Sequence, residues 1–131
     1  MTVLTAPRSD LLDREASTLP VGEVAAYLQD QLGQRMTAFL TGLSDAKQVG
    51  RYARADGPEP RVAVAQRLRH GYKVVRMIGE TYDVETAKAW LFGTNTRLDD
   101  QAPIEVLRTA ERPEEITAVI RAARQFASAD V

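Results

Sequence analysis

The chain has 131 residues, 44% of them hydrophobic and 27% charged, with no cysteine and a formal net charge of −1. That size and apolar content suffice for one buried core or two small ones and exclude an intrinsically disordered chain, while the missing cysteines exclude disulfides, thiol catalysis and thiolate-held zinc. No apolar run reaches the roughly eighteen residues of a membrane span, and charges occupy the first nineteen positions where a secretory leader would be apolar, so a cytoplasmic protein is expected.

The net charge hides a segregation. Residues 1–33 carry −3, residues 34–79 carry +6 and residues 80–131 carry −4. A basic middle between acidic ends points to a polyanion as the partner of the middle alone.

In chain order, residues 1–18 have no sustained apolar period and are expected to form a flexible arm. Pro20 suits the first position of a helix that carries Val21, Val24, Ala25, Leu28 and Leu32 at helical spacing and stops at Gly33. Met36, Phe39 and Leu40 mark a short second helix ending at Gly42. Ser44 is placed to cap a third, with Asp45 in its first turn and Val49, Tyr52 and Ala53 on its buried face. Asp56-Gly57-Pro58 ends that helix. The longest helix is expected over residues 59–80, on the stripe Val64, Leu68, Tyr72, Val75 and Ile78. Asp83 caps a fifth helix running to Gly93. Pro103 opens a short sixth, and Pro113 a seventh with Glu114 and Glu115 at its positive end and Ile116, Val119, Ile120, Ala123 and Phe126 inside. No period-two run suggests a strand, so the fold is read as all-α with about seven helices. Its expected units are a flexible arm (1–18), a helix-turn-helix-like subdomain (19–58), and a long connecting helix with a helical domain (59–131).

Residues 34–42 and 45–54 have the lengths of a helix-turn-helix pair. Ala38 is small where two helices must approach, and Gly42 relieves the turn. With Val49 and Tyr52 inward, Lys47, Gln48, Arg51 and Arg54 face out. Lys and Arg donate to guanine edges and phosphates, and Gln can pair with adenine. Ser44 and the first amides of that helix are expected to hold a phosphate. Val49 and Tyr52 fall one residue late relative to Gly42, which implies a slightly longer turn. Such readers usually pair on two half-sites, so a homodimer is expected.

The block Trp90-Leu91-Phe92-Gly93-Thr94-Asn95-Thr96-Arg97-Leu98, followed by Pro103, Ile104 and Leu107, resembles the C-terminal toxin-binding domain of the Xre/MbcA/ParS antitoxin family. The resemblance spans roughly residues 21–127, with motif-like detail only at 88–110. Trp90-Leu91, Asn95, Leu98, Pro103 and Leu107 match the family pattern. Asp99-Asp100 stand where the family often has glycine, Ala102 replaces its threonine, and Glu111-Arg112-Pro113 replaces a glycine-containing link. The resemblance implies an antitoxin that represses its own operator DNA and neutralises a co-encoded RES-domain toxin, which consumes NAD⁺. It also implies that Trp90, Arg97, Arg121, Arg124, Gln125 and the C-terminal Val131 contact the toxin. The residues themselves leave two rivals open: a partner-binding module without DNA binding, and a stand-alone regulator without a toxin.

An enzyme is not expected. His70 is the only histidine, set in a basic helix, and is read as a surface group. No phosphate-cradling glycine loop or metal-ligand spacing is visible, so no cofactor and no metal are expected.

Overall fold

The computed structural model describes residues 8–128. Among the described residues the fold is all-α, with eight α-helices and no strand. The helices are α1 (Arg8–Thr18), α2 (Val21–Leu32), α3 (Gln34–Thr41), α4 (Lys47–Ala53), α5 (Val62–Thr81), α6 (Val84–Phe92), α7 (Pro103–Thr109) and α8 (Pro113–Ala127). A short 3-10 turn, Thr96–Leu98, joins α6 to α7.

The stripe read on the longest helix becomes the inner face of α5, where Val64, Leu68, Tyr72, Val75 and Ile78 are all buried. Around α5 pack α1, α2, α3, α6, α7 and α8, while α4 rests on α2 and α3. A close approach is made at Gly71 of α5, where a β-carbon would stand 2.3 Å from Leu40 Cδ2 on α3. Leu40 is itself fully buried, so it has little room to retreat. One continuous hydrophobic cluster runs from Leu12 on α1 through Leu28, Leu68, Leu91 and Leu107 to Ala123 on α8. It crosses residue 58 without a break.

The helix ends follow from local chemistry. Asp83 accepts the Thr86 amide at 2.7 Å, and these bonds hold its carboxyl below the usual carboxylate range. Pro103 and Pro113 open α7 and α8 as expected. Glu115 reaches back to accept the amides of Glu111 and Arg112 at 2.9 and 3.0 Å, which lowers its pKa.

Residues 8–18 fall within the segment expected as a flexible arm, yet they form α1. Its Leu12 and Ala16 are buried against α5. Two apolar residues at i and i+4 are too short a period to stand out in a sequence, but α5 meets them with charge. Lys73 pairs with Asp13, and the Arg76 guanidinium donates to Glu15 at 2.6 Å. Arg69 donates to the carbonyls of Ala16 at 3.0 Å and Leu19 at 2.8 Å, closing the C-terminal end of α1 where orphan carbonyls and the helix dipole favour a cation. Arg69→Ala is therefore expected to cost about 1–3 kcal/mol, the range for charge-assisted bonds that leave acceptors unmet. It should also speed amide exchange at Leu12 and Ala16. Unchanged protection of those amides in the variant would show that α1 is held by its apolar contacts alone.

Candidate functional site

The α3–turn–α4 pair is built on Gly42, which sits at φ 81° and lets the chain reverse directly after α3. The Gly42 amide bonds to the Phe39 carbonyl at 3.2 Å, and the Leu43 amide to the Ala38 carbonyl at 3.0 Å. Ala38 is buried, as a close helix approach requires. The turn then takes four more residues, and α4 begins at Lys47 instead of Asp45. Ser44 is exposed and caps nothing; Asp45 accepts the Lys47 amide at 3.0 Å instead. A carboxylate bonding an amide two residues on is a stronger local acceptor than a hydroxyl, so the turn closes on Asp45 and the helix starts late. The longer turn accounts for the late register of Val49 and Tyr52, both buried.

Lys47 and Arg51 stand one turn apart on the outer face of α4 and are exposed. Arg54 is exposed as well, but it lies just past the helix in extended backbone. Gln48 is half-buried and accepts from Arg51 Nη1, whose guanidinium also stands 3.8 Å from Asp45.

Much of the basic character of the middle segment is spent inside the molecule. On α5, Arg69, Lys73 and Arg76 bind α1 as described, and Arg67 donates to the Thr41 carbonyl at 3.1 Å, closing the end of α3. The cations left exposed in this segment are Arg35, Lys47, Arg51, Arg54 and Arg61. The sequence carried a hint of this: Arg67 and Arg76 each adjoin a residue of the buried stripe, a position from which a long side chain can reach over the seam.

In the C-terminal block, Leu91 is fully buried and Trp90 half-buried. The Trp90 and Phe126 rings lie 6.2 Å apart, Tyr82 and Phe126 5.2 Å apart, and the Tyr82 hydroxyl donates to the Phe126 carbonyl at 3.2 Å. Trp90 thus belongs to an aromatic cluster that fastens α6 to the end of α8. Arg121, Arg124 and Gln125 share an exposed strip of α8, opposite Val119, Ala122 and Ala123. Arg97 is exposed on the 3-10 turn, which packs against α8. The structure therefore separates Trp90, turned toward the packing of α8, from the outward arginines. Val131 lies outside the described residues.

Three features of this region were not legible in the sequence. Phe39, counted with Met36 and Leu40 as a helix marker, is 38% exposed, and Phe92 is 48% exposed. Arg108 lies over the Phe39 ring, 4.4 Å from its centroid, while donating to the Phe39 carbonyl at 2.7 Å. Asp99 and Asp100 both adopt positive φ, 57° and 63°, held by Asn95, whose carbonyl accepts the amides of Leu98 and Asp100 at 2.9 Å. Glycine would take that geometry without strain.

His70, read as a surface group, is half-buried. The link from α7 to α8 folds over α5 to make a cleft of about 460 Å³ lined by His70, Arg67, Leu107, Arg112 and Ile116. The His70 Nδ1 is buried without a partner among the described residues. Burial, then Lys73 and Arg67, lower its pKa below the ordinary value. The folded state therefore binds this proton less readily than the unfolded chain, so His70 makes folding less favourable as pH falls through the ordinary histidine range. Melting temperature should drop over that range, and His70→Gln should flatten the slope. An unchanged slope in the variant would move the dependence to other groups.

Among the described residues no group of acidic and histidine side chains is arranged to hold a metal ion, and no helix is long and apolar enough to cross a membrane. Comparison of the chain with family models, with characterised proteins and with solved structures returns no match.

Proposed function

We propose that the chain is a non-enzymatic, antitoxin-like adaptor that binds operator DNA through α4 and a cognate RES-type toxin through the α6–α8 region, working as a homodimer and without a cofactor. The observation that carries this reading is the α3–turn–α4 pair itself. A glycine-reversed turn leads into a second helix whose Val49 and Tyr52 are buried and whose Lys47 and Arg51 face solvent, with Arg54 just beyond. Exposed cations spaced one turn apart on a short second helix suit phosphates and base edges in a major groove. The partner half is supported by the outward set Arg97, Arg121, Arg124 and Gln125, which includes three guanidiniums able to meet carboxylates or phosphates in forked geometry.

One observation favours a second reading, a partner-binding module without DNA binding. Arg51 is drawn to Gln48 and Asp45, and four cations of α5 serve internal contacts, so few free cations remain for a duplex. The two readings separate in one experiment. The chain is co-expressed with the product of the adjacent gene, purified, and tested by electrophoretic mobility shift on its own upstream duplex across a salt series. Co-purification with growth rescue and a salt-steep shift supports the adaptor; co-purification without a shift selects the second reading. Absence of both rejects the proposal.

A further inference from the structure

The exposed aromatics Phe39 and Phe92 come from distant parts of the chain yet border one groove. It lies where the end of α3 meets the link between α6 and α7, has a volume of about 340 Å³, and is lined also by Thr94, Asp100, Ala102, Ile104 and Glu105. Its floor is apolar: Ile104 is 1% exposed and Ala102 is packed against the core. Its charged lining residues are two acids, Asp100 and Glu105, with Arg108 at its border held on the Phe39 ring and carbonyl. Large aromatics half out of water on a soluble surface leave apolar area unburied, which is commonest where a partner covers it.

The shape of the groove is set by rigid parts. Phe39 is pinned by Arg108, which stacks on its ring and binds its carbonyl. Asp100 is presented at φ 63° by the Asn95-anchored loop, with the bridge between Asn95 and Gln101 closing it. A backbone held in that region by its surroundings is the kind of strain that persists where a side chain must be aimed. Pre-set aromatics and carboxylates lose little entropy on binding.

We propose that this groove docks a partner-protein segment that places an apolar side chain between Phe39 and Phe92 and an arginine or lysine against Asp100 and Glu105. Charge decides the occupant. A second copy of the chain using the same groove would set Asp100 and Glu105 against their own equivalents with only Arg108, already engaged by Phe39, to offset them, and like charges oppose such a self-complementary contact. A nucleic acid meets the same repulsion. A cationic side chain beside an apolar one is complementary on both counts, and guanidinium additionally stacks on Phe92. The inference stands on the groove and holds whichever protein the partner proves to be.

The test uses the full chain with two synthetic hexapeptides, each carrying a leucine–tryptophan pair, flanked by arginines in one and by glutamates in the other. In amide-resolved NMR titrations, the arginine peptide is expected to give saturable shifts centred on Phe92, Thr94, Ile104 and Glu105, weakening with salt, while the glutamate peptide gives none. Phe92→Ala should weaken binding about tenfold or more, as expected for a central aromatic anchor. Glu105→Lys should remove the preference for the arginine peptide while leaving the helical circular dichroism intact. Equal response to both peptides, no response at these amides, or retained preference in Glu105→Lys overturns the proposal. Shifts at the same amides that grow with protein concentration alone overturn it in favour of self-association.

Discussion

Replacing Leu68 by alanine is expected to destabilise the protein by about 2–5 kcal/mol, the range for deleting a buried leucine when the cavity cannot collapse. Leu68 has no exposed surface and lies on the inner face of α5, the helix that touches α1, α2, α3, α6, α7 and α8. Collapse is resisted from several sides, because at Gly71, one turn further on, even an added β-carbon would meet Leu40 at 2.3 Å and Leu28 at 3.6 Å. Ile120 on α8 is 8% exposed and nearer the edge, so Ile120→Ala belongs at the lower end of the same range. Against a total stability of roughly 5–15 kcal/mol, the Leu68 change alone removes a large share. Urea denaturation measures both, and a shift in midpoint at constant slope identifies a loss of stability rather than a changed unfolded state. A loss below about 1 kcal/mol for Leu68→Ala would mean that α5 is not the centre of the core.

The parts of this fold that could be read in the sequence are those governed by local periodicity. The α5 stripe, the Asp83 cap and the prolines opening α7 and α8 stand as read, and so do the centres of the α4 and α8 faces, with Ala53, Ile116 and Phe126 only partly buried, because each depends on residues within a turn or two of one another. What escaped depends on distant partners. The burial of α1 is accompanied by contacts from Arg69, Lys73 and Arg76, more than fifty residues away. The delayed start of α4 turns on a competition between Ser44 and Asp45 for the same amides. His70 lines a cleft whose other wall is the α7–α8 link, some forty residues further along the chain. The groove lined by Phe39 and Phe92 has no local signature at all: the run Trp90-Leu91-Phe92 fixes three directions around a helix but not which of them meets solvent. Charge was the most misleading signal. The basic middle read as a surface field is in large part a set of internal clamps, and only the burial and bonding of each guanidinium separates the two.

The cations that remain outside are the ones on which the proposed DNA contact depends. Lys47→Ala and Arg51→Ala are each expected to cost about 1–3 kcal/mol of binding if they reach base edges, and together to lower affinity on the order of a hundredfold or more. If either meets phosphate alone, its loss should instead weaken binding to all duplexes alike and reduce the salt dependence by about one unit of slope. Both side chains are exposed, and neither bonds a main-chain carbonyl among the described residues, so helix content should be unchanged by circular dichroism. Arg51 gives up its bonds to Gln48 and Asp45 before it can reach a duplex, and that competition is open to experiment. Asp45→Asn weakens the pull on Arg51 and keeps an acceptor for the Lys47 amide, so it should bind the operator more tightly than the unaltered chain. Arg121→Glu with Arg124→Glu alters charge on α8, an element that does not bear the α4 face, and serves as the matched control with DNA binding retained. Mobility shifts on the upstream duplex and on a scrambled duplex, at two salt concentrations, compare the unaltered chain with each of these variants. Unchanged affinity in the Lys47/Arg51 double variant would remove α4 as the DNA-reading helix and leave the chain as a module for protein partners.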